Sequence, residues 1–383
     1  MTTMLESVRE LQPTIRSEVP GMQAERRLTA PVVDGMRASG VFGMALPASL
    51  GGPELCPSEQ FEVIEALTYA DGSVGWCAMI GCDAGYWPGF LDDDTVGEVY
   101  PAPNLVSAGK VQPMGVAVRS GDGWRVTGRW DFGSGSTHAD RFIGGVFLRD
   151  QAGVGLTDEH GQPLMRVAHL PREEVTVHDT WNTIGMRATA SNDYEVTDAQ
   201  IPDSWVFDVF SAMRRDDPLY RLPMWFIVKH AGNTTALARR AIDEARDAAQ
   251  TKMVMPQRQL LIDHPGTLEA IACAEAAARS ARAFVVAEIE RVWQACVEGG
   301  DLSLDVTAPL RLAIVNAATV AADVTRSMFD LMTTTAITAD SVFAQLVADA
   351  SVAKTHVVHS HRNWAPLGAR LSGRPIEGPT VFI

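Results

Sequence analysis

The chain has 383 residues, 46% of them apolar, and a formal net charge of −15, so it can bury a sizeable core in two or three domains or one composite unit. The acidic balance argues against partners such as nucleic acid or an anionic membrane, and the five cysteines (Cys56, Cys77, Cys82, Cys273 and Cys296) have no CxxC spacing, which points to reduced thiols rather than disulfides or a zinc site. No apolar stretch suits a signal peptide and none reaches about 18 residues, so a cytoplasmic protein without a membrane span is expected.

Residues 1–103 read as helices with short breaks. Val8, Leu11 and Ile15 recur at helical spacing, with Pro13 a possible interruption. A second helix is predicted over 24–39, kinking or starting at Pro31 and stopping at Gly40. A Gly/Pro-punctuated loop, 40–53, follows. Ser58 is placed to cap a helix over 59–69, with Glu62 and Glu65 outward. Asp71-Gly72 breaks it, and an apolar helix begins near Trp76. Residues 104–206 change to period two. Val116–Arg119 and Trp124–Thr127 flank Ser120-Gly-Asp-Gly as a hairpin. Runs at 142–148, 165–170, 175–178 and 193–196 bring the total to six or seven short strands. Residues 207–383 return to helix over 231–249, 268–297 (ending at Gly299-Gly300), 310–333 (after Pro309) and 341–361, which suits an antiparallel bundle. The expected domains are therefore 1–103, helical; 104–206, β; and 207–383, a four-helix bundle.

The stretch from Gly128 to Asp140 concentrates groups suited to a flat, hydrogen-bonding ligand. Gly133 and Gly135 let backbone approach closely. Ser134, Ser136 and Thr137 donate and accept hydrogen bonds. Trp130 and Phe132 offer stacking faces. The competing reading is an ordinary glycine-rich strand connection.

A helical front, a β middle and a helical back, together with the loop 40–52, the segment 128–140 and Ile184-Gly-Met-Arg-Ala-Thr-Ala-Ser-Asn-Asp-Tyr, resemble the acyl-CoA dehydrogenase superfamily over nearly the whole chain. Trp130-Asp-Phe-Gly-Ser-Gly, Trp181-Asn-Thr-Ile-Gly-Met-Arg and Asp349 followed by His356 resemble its branch of two-component, reduced-flavin-dependent hydroxylases. The resemblance implies an α+β fold: an N-terminal helical domain, a central β-barrel or sandwich, and a C-terminal four-helix bundle. It also implies reduced FMN or FAD delivered by a separate reductase, O2, a C4a-hydroperoxyflavin, and a homotetramer that hydroxylates an aromatic, phenolic or amine small molecule.

Within that resemblance Ser134 is expected at the flavin N5/C4a edge, with Trp130, Phe132, Gly133 and Gly135 around the ring, Thr189 and Ser191 at the ring edge or the flavin phosphate or else capping a turn, and Arg258 on the phosphate. His356 is the expected proton acceptor. Asp349 lies in line with it if the helix is continuous, and His359 is one turn on. Trp76, Tyr86, Trp87, His138 and His359 are expected to line the substrate pocket. A metal is not expected. Two features depart from the branch. Gln345 and Ala348 stand where arginines are usual, and Asp83, Tyr86 and Trp87 stand where a histidine is common. Two alternatives stay open. A true acyl-CoA dehydrogenase would need a carboxylate base, with Glu377, Asp330, Asp340 and Asp349 as candidates after Glu298. A non-catalytic relative would need none of these groups.

Overall fold

The computed structural model describes residues 2–256 and 258–375. They divide into two compact units interleaved along the chain. The first holds residues up to Cys56, Trp76–Asn182 and Arg187–Phe226; the second holds Pro57–Gly75, Thr183–Met186 and residues from Ile227 on. The helices are α1 (Met4–Glu25), α2 (Ala30–Ala38), α3 (Pro57–Ala70), α4 (Gly72–Gly81), α5 (Asp93–Val99), α6 (Trp225–Ala249), α7 (Pro265–Glu298), α8 (Leu304–Met332), α9 (Val342–Thr355) and α10 (Trp364–Leu371). The strands are β1 (Ser107–Ser120), β2 (Gly123–Gly133), β3 (Arg141–Arg149), β4 (Met165–Leu170), β5 (Thr176–His178), β6 (Asn192–Pro202), β7 (Val206–Phe207), β8 (Met253–Val254) and β9 (Gln259–Leu260).

In the first unit, α1 begins with a reciprocal cap in which Thr3 accepts from the Glu6 N–H and Glu6 accepts from the Thr3 N–H. The helix runs through Pro13 and Pro20 instead of breaking at Pro13. Both prolines are exposed, so the turn each one disrupts faces water. The helix expected over 24–39 is shorter. Arg26 turns left-handed (φ 56°), and α2 starts only at Ala30 with Pro31 in its first turn. The Gly/Pro loop becomes two short 3-10 turns, Val41–Gly43 and Ala48–Leu50.

Seven strands form one sheet in the order β5-β6-β2-β1-β3-β4-β7. β1 and β3 are parallel and the other neighbours antiparallel. Ser120 pairs with Gly123, which confirms the two-residue hairpin. The sheet's core is organised on Trp130, which is 0% exposed. Its indole stacks on Tyr194 at 5.4 Å and donates to the Gly145 carbonyl at 2.8 Å. A Cβ at Gly115, Gly128 or Gly144 would come within 2.5, 2.7 or 2.6 Å of that ring, so the absence of side chains there creates the slot it fills.

The second unit is mainly helical, with α8 packed on α7, α9 and α10. α7 begins at Pro265 and ends at left-handed Gly299 (φ 73°), the stop read from Gly299-Gly300. α3 starts at Pro57, so Ser58 lies in its first turn rather than capping it. α8 starts at Leu304, placing Pro309 inside the helix rather than just before it. Its last turn is held by Lys252, whose ammonium donates to the Met332 carbonyl and to Thr335 Oγ1 at 2.8 Å. Against the sequence expectation, Leu304–Thr335 is long and apolar enough to cross a membrane, yet 56% of its apolar window is buried within the protein. α9 stops at Thr355, six residues short of expectation, because His356 adopts extended backbone (ψ 145°).

Gly144→Ala is expected to lower stability by about 1–3 kcal/mol, since a methyl group there must displace the Trp130 indole from a closed core. Urea denaturation of the two proteins checks this; an unchanged midpoint would contradict the slot.

Candidate active site

The sheet delivers Ser134 by a local irregularity. The β2–β6 register shifts between Trp130 and Gly133, and Phe132 sits at φ 62°. The chain then turns. The Ser134 N–H donates to the Phe132 carbonyl at 2.9 Å, and the Gly135 N–H donates to the Thr189 carbonyl at 2.8 Å, with Gly135 at φ 76°. Ser134 Oγ accepts from Trp76 Nε1 at 3.0 Å and lies 2.7 Å from Ser191 Oγ. Ser191 Oγ is in turn 2.7 Å from Thr189 Oγ1. All four side chains are buried, so this is a continuous run of hydroxyls in a dry setting, capped by an indole N–H. Four residues singled out in the sequence thus meet: Trp76, Ser134, Thr189 and Ser191. Their neighbour Ser136 donates to the Ala190 carbonyl at 2.7 Å and holds the turn.

The other first-unit candidates divide. Trp130 is spent inside the sheet, its face on Tyr194, so it positions the strand rather than offering a stacking surface. Phe132 is 58% exposed, edge-on to Trp181 at 6.1 Å, with the Lys110 ammonium 5.3 Å from its ring centre. A Cβ on Gly133 would meet the Tyr194 ring at 2.8 Å, and one on Gly135 would meet the His138 ring at 3.2 Å. Tyr86 and Trp87 are core. Tyr86 is fully buried, while Trp87 packs on Phe207 and Phe226 and its Nε1 donates to Ser107 Oγ at 3.3 Å. His138 is partly exposed, but both ring nitrogens are buried without a hydrogen-bond partner. Its backbone carbonyl accepts from Arg37, which also forms a two-pronged pair with Asp140.

In the second unit three imidazoles gather. The His356 ring lies 4.8 Å from that of His230, nearly parallel; His359 stands edge-on to His230 at 5.0 Å and is 6.1 Å from His356. The backbone sets the tautomers. A carbonyl only accepts, so His359 Nδ1, 2.8 Å from the Ala353 carbonyl, carries the proton and leaves the lone pair on Nε2. The Val358 N–H donates to His356 Nδ1 at 3.3 Å, which puts the proton of neutral His356 on Nε2. Burial holds His359 down at about 3, and burial with the neighbouring His356 depresses His230 as well. Arg311 is buried beside them, its Nη1 donating to the Val358 carbonyl at 2.6 Å; burial lowers it to about 10.

Asp349 does not extend this cluster. Helix α9 ends before His356, so seven residues no longer mean one face. Asp349 Oδ1 accepts from the Met186 N–H at 2.5 Å. Burial and the buried Asp71 raise its carboxyl to about 7. Gln345 donates to Asp71 Oδ2 at 2.8 Å, so a neutral amide serves this acidic pair where an arginine was expected. The backbone of Ala348 closes against Gly185, where a Cβ would come within 2.2 Å. Arg258 lies on the exposed turn between β8 and β9 with φ 56°. Sequence reading missed His230, which sits at the start of α6 more than 120 residues before its ring partners and carries no local motif. It also missed the role of Arg311, whose charge hid inside an apolar helix.

The residues at the Ser134 turn suit a planar, hydrogen-bonding ring such as a flavin. They supply adjoining hydroxyls, two glycines that admit close approach, one exposed aromatic face, and a histidine with two unmatched nitrogens.

Burial takes His138 down to about 4, so its neutral form is favoured in the folded protein. A histidine depressed by folding contributes stability above the unfolded value near 6.5, and loses it as pH falls toward the folded value. His138→Phe should therefore flatten the fall in unfolding free energy between about pH 6.5 and pH 4, by up to ~1.4 kcal/mol per pH unit. Denaturant titrations at several pH values check this; parallel curves for the two proteins would contradict the assignment.

Residues 229–361 match the family described as "Acyl-CoA dehydrogenase, C-terminal domain". The chain is 33% identical to an indole-3-acetate monooxygenase of Pseudomonas putida, over 98% of this chain and 94% of that one. It is 30% identical to an indole-3-acetate monooxygenase of Acinetobacter baumannii, over 85% and 82%. In fold it is similar to XiaF from Streptomyces sp., solved with FADH2 and glycerol, at a TM-score of 0.90 and 21% identity, over 98% and 96% of the two chains. The chain belongs to the flavin-dependent monooxygenases of the acyl-CoA dehydrogenase superfamily.

Proposed function

We propose that this chain is the oxygenase component of a two-component system. It takes reduced flavin from a separate reductase and hydroxylates a small aromatic molecule with O2. The observation that carries this reading is the buried run Trp76, Ser134, Ser191 and Thr189 beside Gly133 and Gly135. Reduced flavin, when bound, supplies the activation of O2 from which one oxygen atom passes to substrate. The chain's own work is to hold, orient and keep dry. Ser134 offers the hydrogen bond at the ring edge, Gly133 and Gly135 admit the ring, Phe132 offers it a face, and Arg258 is a candidate for the flavin phosphate. FAD is the first flavin to try, given the FADH2 complex of XiaF.

Proton handling falls to the imidazole group. The Nε2 lone pair of His359 can take a proton from a substrate N–H or O–H, while Nε2–H of His356 can donate. This divides between two rings the role expected of His356 alone. The first substrate to test is an indole acetate, because the two relatives at 33% and 30% identity carry that name; Trp76 and His138 are its proposed neighbours. A homotetramer is part of the same reading. A dehydrogenase would need a carboxylate base. Glu377 lies outside the described residues, Asp330 pairs with Arg326, Asp340 is exposed to solvent, and Asp349 Oδ1 is taken by the Met186 N–H. Those placements favour the oxygenase.

With a flavin reductase, NADH and indole-3-acetate, the protein should give a product holding one atom from 18O2. His356→Ala and His359→Ala should each lower product formation by about 10²–10⁴-fold, with reducing equivalents diverted to hydrogen peroxide. Unchanged product formation in both variants would remove the imidazole role. A protein purified yellow and bleached by an acyl-CoA would instead favour a dehydrogenase.

A further inference from the structure

The Ser134 run has a directional property beyond its capacity to bind, and the inference rests on the reading that Ser134 meets the flavin. A hydroxyl has one donor and two acceptor positions, whereas an indole N–H only donates. Trp76 Nε1, at 3.0 Å, therefore fills one acceptor position of Ser134 permanently. Ser191, at 2.7 Å, takes a second position and can be either donor or acceptor. One position is left over on Ser134, and its character depends on Ser191. If Ser134 donates to Ser191, and Ser191 to Thr189 at 2.7 Å, Ser134 has a lone pair left for a ligand. If Thr189 donates to Ser191, and Ser191 to Ser134, then Ser134 has its O–H left instead. Rotating hydroxyls interconvert the two arrangements; no bond breaks and no net proton moves.

The flavin ring edge makes these opposite demands. Its central nitrogen carries a hydrogen in the reduced form and a bare lone pair in the oxidised form. We propose that Ser134, Ser191 and Thr189 form a donor–acceptor switch, held at one end by the Trp76 indole, by which Ser134 accepts from the reduced ring and donates to the oxidised one. Thr189 and Ser191 are positioning residues in this scheme: they act through Ser134 and set which form of the cofactor it favours. The burial of all four groups gives the switch its force, since a hydroxyl hydrogen without an acceptor cannot turn to bulk water.

Removing the far hydroxyl tests the switch. In Thr189→Val, the arrangement that serves the reduced ring leaves the Ser191 O–H without its acceptor, while the other arrangement loses only a donor to a lone pair. Anaerobic binding titrations with reduced FAD, and parallel titrations with oxidised FAD, should show the reduced form weakened about tenfold more than the oxidised form. Thr189→Ser should restore the wild-type ratio. Ser191→Ala, a second variant should Thr189→Val not fold, removes the acceptor of the Ser134 hydroxyl in the same arrangement and should move the ratio the same way. A ratio unchanged in both Thr189→Val and Ser191→Ala overturns the switch. Ser134→Ala separates this from the underlying reading. If it alters FAD affinity while the other two leave the ratio alone, only the switch falls; if it alters neither affinity, the placement of flavin at Ser134 falls with it.

Discussion

The slot that glycines cut for Trp130 is the constraint on which the first unit depends. An indole needs room that a regular sheet with side chains at every position does not have, and Gly115, Gly128 and Gly144 give it that room on three adjacent strands. With Trp130 locked against Tyr194 and hydrogen-bonded to Gly145, β2 cannot slide on its neighbours. The irregularity that follows, with Phe132 at positive φ, is the consequence: the chain leaves the sheet at a fixed point and delivers Ser134 to the hydroxyls of Thr189 and Ser191. The hydroxyl run lies one step along the chain from the core that positions it.

Two kinds of polar burial serve different ends in this protein. The hydroxyl run is neutral and satisfied along its length, so it stays hydrogen-bonded without charge. His230, His359 and the Asp71–Asp349 pair are ionisable groups that burial drives toward their neutral forms. The backbone contacts of His356 and His359 suit those two rings to passing protons, because in the neutral form each presents a defined donor or lone pair rather than an average of both. The acidic pair is structural. Asp71 accepts from the Ser73 and Val74 N–H groups at the start of α4, and Asp349 holds the Met186 N–H.

Much of this was legible in the sequence wherever the signal was local. The change from helical to alternating periodicity, the Ser120–Gly123 hairpin and the Gly299 stop all stand in the structure. Ser134, Thr189 and Ser191 are singled out in the sequence, but the indole of Trp76 that joins them is expected elsewhere, in the substrate pocket. Errors arose where tertiary context overrode local chemistry. Trp130 and Phe132 look alike in sequence as aromatic faces, and two residues apart they would share one face of a regular strand, but the register shift after Trp130 and the positive φ at Phe132 leave one buried and the other exposed. Pro13 reads as an interruption of the first helix, yet on an exposed face its cost falls on a turn open to water. The extended backbone at His356 cut short the helix that would have aligned it with Asp349, and His230 reached the cluster from far away in the chain with no motif to announce it.

The central claim is that reduced flavin sits against Ser134. The Trp76 indole N–H, donating to that serine at 3.0 Å, is a built-in reporter of it. The most direct measurement is the 15N–1H spectrum of the indole groups, with the Trp76 signal assigned by Trp76→Phe, recorded anaerobically as reduced FAD is added. The account predicts that the Trp76 signal shifts in proportion to bound flavin. A signal unmoved at saturating flavin, while other indoles shift, would place the cofactor elsewhere and contradict it.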